Sequence, residues 1–191
     1  LLPHQLTDFS QSIVASLFFL SNYFFYFEMD YFNPFMEYSP LIHTWSLSVE
    51  EQFYLFFPAL LILINNFSNK IKICCLSILA IISMSYCFVI SETNISLAFY
   101  SSLSRAWELL FGVILSFITI KQVNVKQKIL LNILGVISLF LLLMLFGGVI
   151  KFEHPGPFTL LPIILTSIII LIADKASILT KILKTPFLIH I

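Results

Sequence analysis

The sequence predicts an all-α protein, a polytopic bundle of transmembrane helices with about six full spans and a truncated seventh. Two observations support this prediction. The chain of 191 residues is 59% hydrophobic and only 10% charged, whereas soluble domains carry roughly 25% charged residues. Its apolar stretches also suit helices, which need about 20 residues to cross a bilayer, better than barrel strands of about 10 residues with alternating polarity.

The predicted spans follow one another along the chain with short polar stretches between them. They cover residues 11–27, 50–66, 73–90, 102–120, 129–150 and 158–173, and a seventh starts near residue 182. Because no repeat or long linker divides the chain, we expect one membrane-embedded domain over residues 1–191. The sequence starts at Leu1 and stops inside an apolar run, so we expect an internal fragment that is incomplete at both ends.

Lysines concentrate in alternate connections between the predicted spans. These are Lys70, Lys72, Lys121, Lys126, Lys128, Lys175, Lys181 and Lys184. Loops rich in Lys and Arg remain in the cytoplasm, so the Lys-rich loops are predicted to be cytoplasmic and the segment 28–49 extracytoplasmic. We therefore expect a multi-pass protein of the cytoplasmic (inner) membrane, surrounded by membrane lipid.

Charge and cysteine content exclude other classes of function. The formal net charge is zero, so no basic face is available for nucleic acid. Three cysteines, Cys74, Cys75 and Cys87, lie in one apolar run without C-x-x-C spacing. We expect them to be packing residues, and we predict no metal site.

Polar residues gather in "HTWSLSVEEQFYLFFP", directly before an apolar run. If a helix begins near His43, then His43, Ser46, Glu50 and Tyr54 form a strip about 80° wide, with Glu51 on its flank. Such a polar strip at a membrane face is expected to point into the bundle or into a water-filled cavity. His43 supplies a base near neutral pH, Glu50 can orient it, and Ser and Tyr hydroxyls can hold a substrate.

A structural interpretation of the same stretch stays open. Ser48 and Glu51 have the spacing of a capping box, which would place the helix start at Ser48. Acidic side chains also favour the positive end of a helix dipole. In this interpretation Trp45 and Tyr54 belong to an interfacial aromatic belt. Capping explains Ser48 and the acids, but not His43 or the width of the strip.

A second polar group occurs in "SSLSRAWELLFG", where Ser101, Arg105, Glu108 and Gly112 share a helical face. This helix is also predicted to start outside, which would bring Arg105 close to His43 and Glu50. Arg105 suits a sugar hydroxyl, a carboxylate or a phosphate. The alternative is a local Arg105–Glu108 pair of little net energy.

Four segments resemble acyltransferase family 3, the polytopic membrane acyltransferases of cell-surface polysaccharides. "LIHTWSLSVEEQFYLFFPALLIL" (41–63) resembles the hallmark segment, and "LFFLSNYFFYF" (17–27) the helix before it. "SRAWELLFGVIL" (104–115) and "HPGPFTLLPIILTSIIIL" (154–171) resemble two later segments. Their order and spacing are also similar to the family's.

The resemblance implies transfer of an acyl group, usually acetyl, from acetyl-CoA or another acyl-CoA to a carbohydrate hydroxyl. The expected acceptor is a surface polysaccharide such as lipopolysaccharide O-antigen, peptidoglycan or capsule. Family members generally carry an essential Arg and His on an earlier helix, which the given sequence does not contain. We therefore expect residues 1–191 alone to be inactive.

The resemblance allows catalytic and substrate-binding roles to be predicted for the polar residues. We predict that His43, Glu50 and Arg105 are catalytic. The predicted substrate-binding residues are Trp45, Ser46, Glu51, Tyr54 and Glu108. Two alternatives remain open at this point, namely a polysaccharide transporter or flippase, which would also be polytopic, and an inactive remnant of the enzyme.

Overall fold

The computed structural model describes residues 3–27, 39–118, 124–148 and 156–172. These residues form eight α-helices and one short 3-10 helix, and they contain no strand. The helices are α1 (Pro3–Leu17), α2 (Ser21–Phe27), α3 (Thr44–Ile64), α4 (Asn69–Thr93), α5 (Ile95–Tyr100), α6 (Ser102–Ser116), α7 (Val125–Phe146) and α8 (Leu160–Ile172), with the 3-10 helix at Pro157–Thr159. The predicted all-α class is confirmed for the described residues.

The chain divides into two compact units, Leu1–Leu110 and Phe111–Ile191. The first contains α1 to α5 and the beginning of α6, and both predicted polar groups lie in it except for Gly112. In the second unit, α7 packs against α8. Leu142 and Leu145 contact Leu165 there, and Ile172 packs with Leu131 and Leu139.

Among the described residues, three helices are long and apolar enough to cross a membrane. They are α3, α4 and the part of α7 from Gln127 to Phe146, with 21, 25 and 20 residues. The predicted count of six full spans is not confirmed. The described parts of the predicted spans 102–120 and 158–173 contain helices of 15 and 13 residues, which measure roughly 22 and 20 Å at 1.5 Å per residue. The start of a seventh span near residue 182 lies outside the described residues.

The segment 11–27 is two helices, so the prediction of one continuous span there is wrong. Helix α1 ends at Leu17, and Phe19 adopts a left-handed backbone conformation with φ of 56° before α2 begins at Ser21. The carbonyl of Phe19 accepts a hydrogen bond of 2.6 Å from Gln52 Nε2. This contact stabilises the break because it satisfies a carbonyl that the helix leaves unpaired. The break between α1 and α2 cannot be predicted from local hydropathy.

Helix α3 begins at Thr44 with His43 as its N-cap residue. Of the two helix starts that the sequence left open, the one near His43 is observed, and Ser48 is not the N-cap residue. Ser48 lies inside the helix, where it is buried and shares a hydrogen bond of 2.7 Å with the Ser21 hydroxyl. Its role is to join α3 to α2, because a small polar residue allows close helix approach and a bond across the interface.

A turn after α4 brings the start of α6 towards α2 and α3. The Asn94 side chain accepts a hydrogen bond of 2.9 Å from Leu97 N, which caps α5, and donates one of 3.1 Å to the Tyr26 hydroxyl. At the other end of α5, Tyr100 is buried against Phe25 and Trp45. Because α5 has only six residues, α6 starts close to the turn and its first residues face α2 and α3.

Candidate active site

A small cavity lies between the beginnings of α3 and α6. Its volume is about 70 Å³, well below the roughly 300–1,000 Å³ of pockets that enclose a whole ligand. It is lined by Trp45, Ser46, Val49 and Glu50 from α3 and by Arg105, Glu108 and Leu109 from α6. The cavity therefore suits one reacting group of a larger molecule, such as a hydroxyl or an ester carbonyl.

Arg105 is held in place by a carboxylate and by two aromatic rings. Its Nη2 donates a hydrogen bond of 2.8 Å to Glu108 Oε2, one helical turn further along α6. The guanidinium carbon lies 5.2 Å from the centre of the Trp45 ring and 6.0 Å from that of Phe99. Guanidinium groups stack well on aromatic faces. Contacts from α3, α5 and α6 together fix the position of this cation.

The rings that contact Arg105 belong to a larger aromatic cluster. Trp45 and Phe99 have ring centres 4.4 Å apart, and Tyr100 lies edge-on to both at 5.5 and 5.3 Å. Edge-to-face and tilted pairs at these distances are attractive. The cluster thus makes a rigid wall on which the guanidinium rests.

Formal charges favour a neutral group in the cavity. Glu50 and Glu108 carry one formal negative charge each, and Arg105 carries one positive charge, which gives a formal sum of −1 for the lining residues. Glu108 already bonds to Arg105. A hydroxyl can donate to a carboxylate such as Glu50, whereas an anionic group would meet two carboxylates. The lining therefore favours a hydroxyl-bearing substrate over a permanently charged one.

The structure brings five of the eight predicted site residues to this cavity. They are Trp45, Ser46, Glu50, Arg105 and Glu108. The remaining three, His43, Glu51 and Tyr54, do not line it. His43 is exposed at the N-terminal end of α3, Glu51 is half-buried, and Tyr54 is 57% exposed.

The polar strip on α3 is exposed within the described structure, so its orientation into the bundle or into a water-filled cavity stays a prediction. His43, Ser46, Glu50 and Tyr54 are all exposed, and only Ser46 and Glu50 reach the cavity. The buried side chains of this part of α3 are Ser48 and Val49. The face of α3 that carries Ser48 and Gln52 is turned inward because both side chains find hydrogen-bond partners on neighbouring helices. The exposed polar side chains of the strip need hydrogen bonds from water or from a further polar group.

Asn22, Gln52 and Ser102 were not among the predicted site residues. They form a hydrogen-bonded network next to the cavity. A signal for Asn22 is visible in the sequence, since it is an amide inside an otherwise apolar run. Side-chain amides in membrane segments generally pair with polar groups on other helices. Gln52 follows Trp45 by seven residues, which places the two on one face of α3.

The long apolar helices of the described residues define the protein as a multi-pass membrane protein. The chain belongs to acyltransferase family 3, because the family profile, described as an acyltransferase domain, matches residues 6–183. The resemblance of the four sequence segments is thereby confirmed.

Relatives with curated names agree with the family. The chain is 32% identical over 194 residues to the peptidoglycan O-acetyltransferase OatA of Listeria monocytogenes, covering 94% of this chain and 31% of that protein. It is 30% identical over 200 residues to the O-acetyltransferase OatA of Staphylococcus aureus strain NCTC 8325, covering 98% and 33%. The chain thus spans about a third of the length of these relatives. No solved structure matches it.

Proposed function

We propose that the full-length protein is a membrane O-acetyltransferase that moves an acetyl group to a hydroxyl of peptidoglycan. Membership of the acyltransferase family supports the reaction class and disfavours the transporter alternative. Both named relatives are O-acetyltransferases, and the Listeria protein is named for peptidoglycan. We therefore propose peptidoglycan as the acceptor in place of O-antigen, for which the relatives give no support.

The observation that carries this proposal is that Glu50 and Arg105 line one cavity from opposite helices. In the proposed reaction acetyl-CoA, at the cytoplasmic side, first gives its acetyl group to a nucleophilic side chain outside residues 1–191, and the thiol is released. At the cavity the acceptor oxygen then attacks the carbonyl of this relayed acetyl group. A carbon–oxygen bond to the acceptor forms, the bond to the relay side chain breaks, and the hydroxyl proton passes to that side chain. Glu50 accepts a hydrogen bond from the hydroxyl, and Arg105 stabilises the oxyanion that develops on the carbonyl oxygen. His43, which is exposed at the N-terminal end of α3, orients the acceptor as it approaches.

We also propose a membrane arrangement for the chain. The segments 102–120 and 158–173 cross the inner membrane together with α3, α4 and α7, and the two helices α1 and α2 make a further, broken crossing. The Lys-rich loops lie in the cytoplasm, as the distribution of lysines favours. The segment 28–49 and the beginnings of α3 and α6 then lie on the outer side, where the acceptor glycan is found.

Cysteine labelling tests this arrangement. In a full-length protein without native cysteines, Glu92→Cys near the end of α4 should react with a membrane-impermeant maleimide in intact cells. Lys126→Cys, in the first turn of α7, should react only after the membrane is opened, because it lies in a Lys-rich connection. The readout is the gel shift of the labelled protein. Equal labelling of both positions in intact cells would contradict the proposed sidedness.

Acetylation of the cell wall tests the reaction itself. Expression of the full-length protein in a host whose peptidoglycan lacks O-acetyl groups should make alkali-releasable acetate appear on the purified glycan, because the host supplies acetyl-CoA. Mass spectrometry of the glycan fragments measures the gain of one acetyl group per modified sugar. Acetate on a different surface glycan would contradict peptidoglycan as the acceptor but would support acetyl transfer as the reaction. If no glycan gains acetate although the protein is in the membrane, the proposed function is wrong.

A further inference from the structure

We infer that Asn22, Gln52 and Ser102 are positioning residues that hold α3 against the start of α6 and thereby align the two walls of the candidate site. This inference rests on the proposed function, since it explains how Glu50 and Arg105 come to face one cavity. None of the three lines that cavity. Their effect on the reaction is therefore exerted through the residues that do.

The network is built from two amides and one hydroxyl. Asn22 Oδ1 accepts a hydrogen bond of 2.9 Å from Gln52 Nε2, and Asn22 Nδ2 donates one of 3.3 Å to Ser102 Oγ. Ser102 Oγ in turn donates to Gln52 Oε1. Each member therefore bonds to both others. A closed triangle of this kind joins α2, α3 and α6 at one point.

The same amides also satisfy backbone carbonyls at two helix ends. Gln52 Nε2 donates 2.6 Å to the carbonyl of Phe19, in the break between α1 and α2. Asn22 Nδ2 donates 3.0 Å to the carbonyl of Tyr100, the last residue of α5. Within an apolar environment such carbonyls are costly unless a partner is supplied. The network thus fixes two places where the chain changes direction, as well as the three helices.

Sequence distance ties the network directly to the site. Gln52 lies two residues after Glu50 on α3, and Ser102 lies three residues before Arg105 on α6. Each wall of the cavity therefore carries one member of the triangle within a single helical turn. Asn22 has no exposed surface at all, so the triangle has little freedom to shift. A change in it should move Glu50 relative to Arg105.

Apolar packing alone would give a less defined arrangement in a membrane. Lipid chains are as apolar as leucine side chains, so burial does not drive helices together there, and interhelical hydrogen bonds and close packing determine their register. The described part of α3 exposes several large apolar side chains, among them Leu47, Leu55 and Phe56. The polar triangle, together with the contact of Arg105 on Trp45, consequently selects one rotation and one height of α3 against α6.

A pair of variants at residue 102 tests the inference in the full-length protein. Ser102→Ala removes the hydroxyl, whereas Ser102→Thr retains it. We expect Ser102→Ala to lower kcat about fivefold per folded molecule, because small misplacements of reacting groups reduce rates strongly. The KM for acetyl-CoA should change less than about twofold, and Ser102→Thr should restore kcat. Gln11→Leu, in α1 and outside the network, is the matched control for Gln52→Leu.

A distance measurement gives a readout that does not depend on activity. Spin labels at Leu47→Cys on α3 and Leu103→Cys on α6, both exposed positions, report the separation of the two helices by pulsed electron resonance. Gln52→Leu and Ser102→Ala should broaden the distance distribution. Ser102→Thr and Gln11→Leu should leave it unchanged.

The possible outcomes separate the two proposals. Lower kcat and a broader distribution in Ser102→Ala, both restored in Ser102→Thr, support the positioning role. An unchanged distance distribution in Gln52→Leu and Ser102→Ala overturns the positioning role. A normal kcat of Ser102→Ala also overturns it, provided that the enzyme is active and its Arg105→Ala variant is impaired. If the unsubstituted protein acetylates no glycan, the proposed function fails, and the spin-label result alone decides the role of the network.

Discussion

Replacement of Arg105 by Ala in the full-length protein is expected to lower acetylation of the acceptor glycan at least about tenfold, with unchanged amounts of protein in the membrane. Donors that stabilise an oxyanion commonly contribute on the order of 10²–10³ in rate. Arg105 is the cation that lines the cavity, and Trp45, Phe99 and Glu108 hold it there. Ester-linked acetate measured by mass spectrometry on the purified glycan gives the readout.

A graded series distinguishes charge from geometry at this position. Arg105→Lys keeps the positive charge but loses the planar group that stacks on Trp45, so we expect an activity between those of the wild type and Arg105→Ala. Lys72→Ala, in the first turn of α4, removes a cation that does not line the cavity and serves as the control. Normal acetylation by Arg105→Ala would show that Arg105 and Glu108 form only a local ion pair that contributes little energy.

The second large effect is expected at Glu50. Glu50→Gln preserves the shape of the side chain but removes the carboxylate that accepts the hydrogen bond from the attacking hydroxyl, so acetylation should fall at least about tenfold. Because the defect lies in the reacting group, kcat should fall more than the apparent affinity for the donor. Rates of acetate transfer at varied acetyl-CoA concentration measure both quantities.

Glu51 provides the matched comparison for Glu50. The two residues are adjacent and chemically identical, yet only Glu50 lines the cavity. Glu51→Gln is therefore expected to change acetylation by less than about threefold. Equal losses in the two variants would mean that the total negative charge at the start of α3 matters rather than the position of one carboxylate. A larger loss in Glu51→Gln than in Glu50→Gln would show that Glu51, and not Glu50, is the reacting carboxylate.

Sequence patterns predicted five of the seven residues that line the cavity, but not which face of α3 packs against α2. Helical spacing identifies which residues share a face, and it correctly groups Ser46 with Glu50 and Arg105 with Glu108. It does not show which face of a helix packs against its neighbours. In α3 that choice depends on bonds from Ser48 and Gln52 to residues of α2, which are about thirty positions away in the sequence and invisible to a local pattern.

Hydropathy likewise predicted the long helices and failed at the broken ones. The segment 11–27 is predominantly apolar, yet its first helix stops at Leu17, and the Phe19 carbonyl beyond that end pairs with Gln52. Helix α5 likewise ends at Tyr100, whose carbonyl accepts a hydrogen bond from Asn22 Nδ2. Average polarity contains no information about such distant partners. A search for isolated amides inside apolar runs would have been the better guide.

The bond between Asn22 and the Tyr100 carbonyl also has a consequence for biosynthesis, because its partners are 78 residues apart. At roughly 5–20 residues per second, the ribosome completes Tyr100 on the order of ten seconds after Asn22. Helices α2 and α3 therefore enter the membrane before α5 and the start of α6 exist. Throughout that interval the Asn22 and Gln52 amides lack Tyr100 and Ser102 as partners. A chain stopped before residue 100 would have inserted helices but no aligned site.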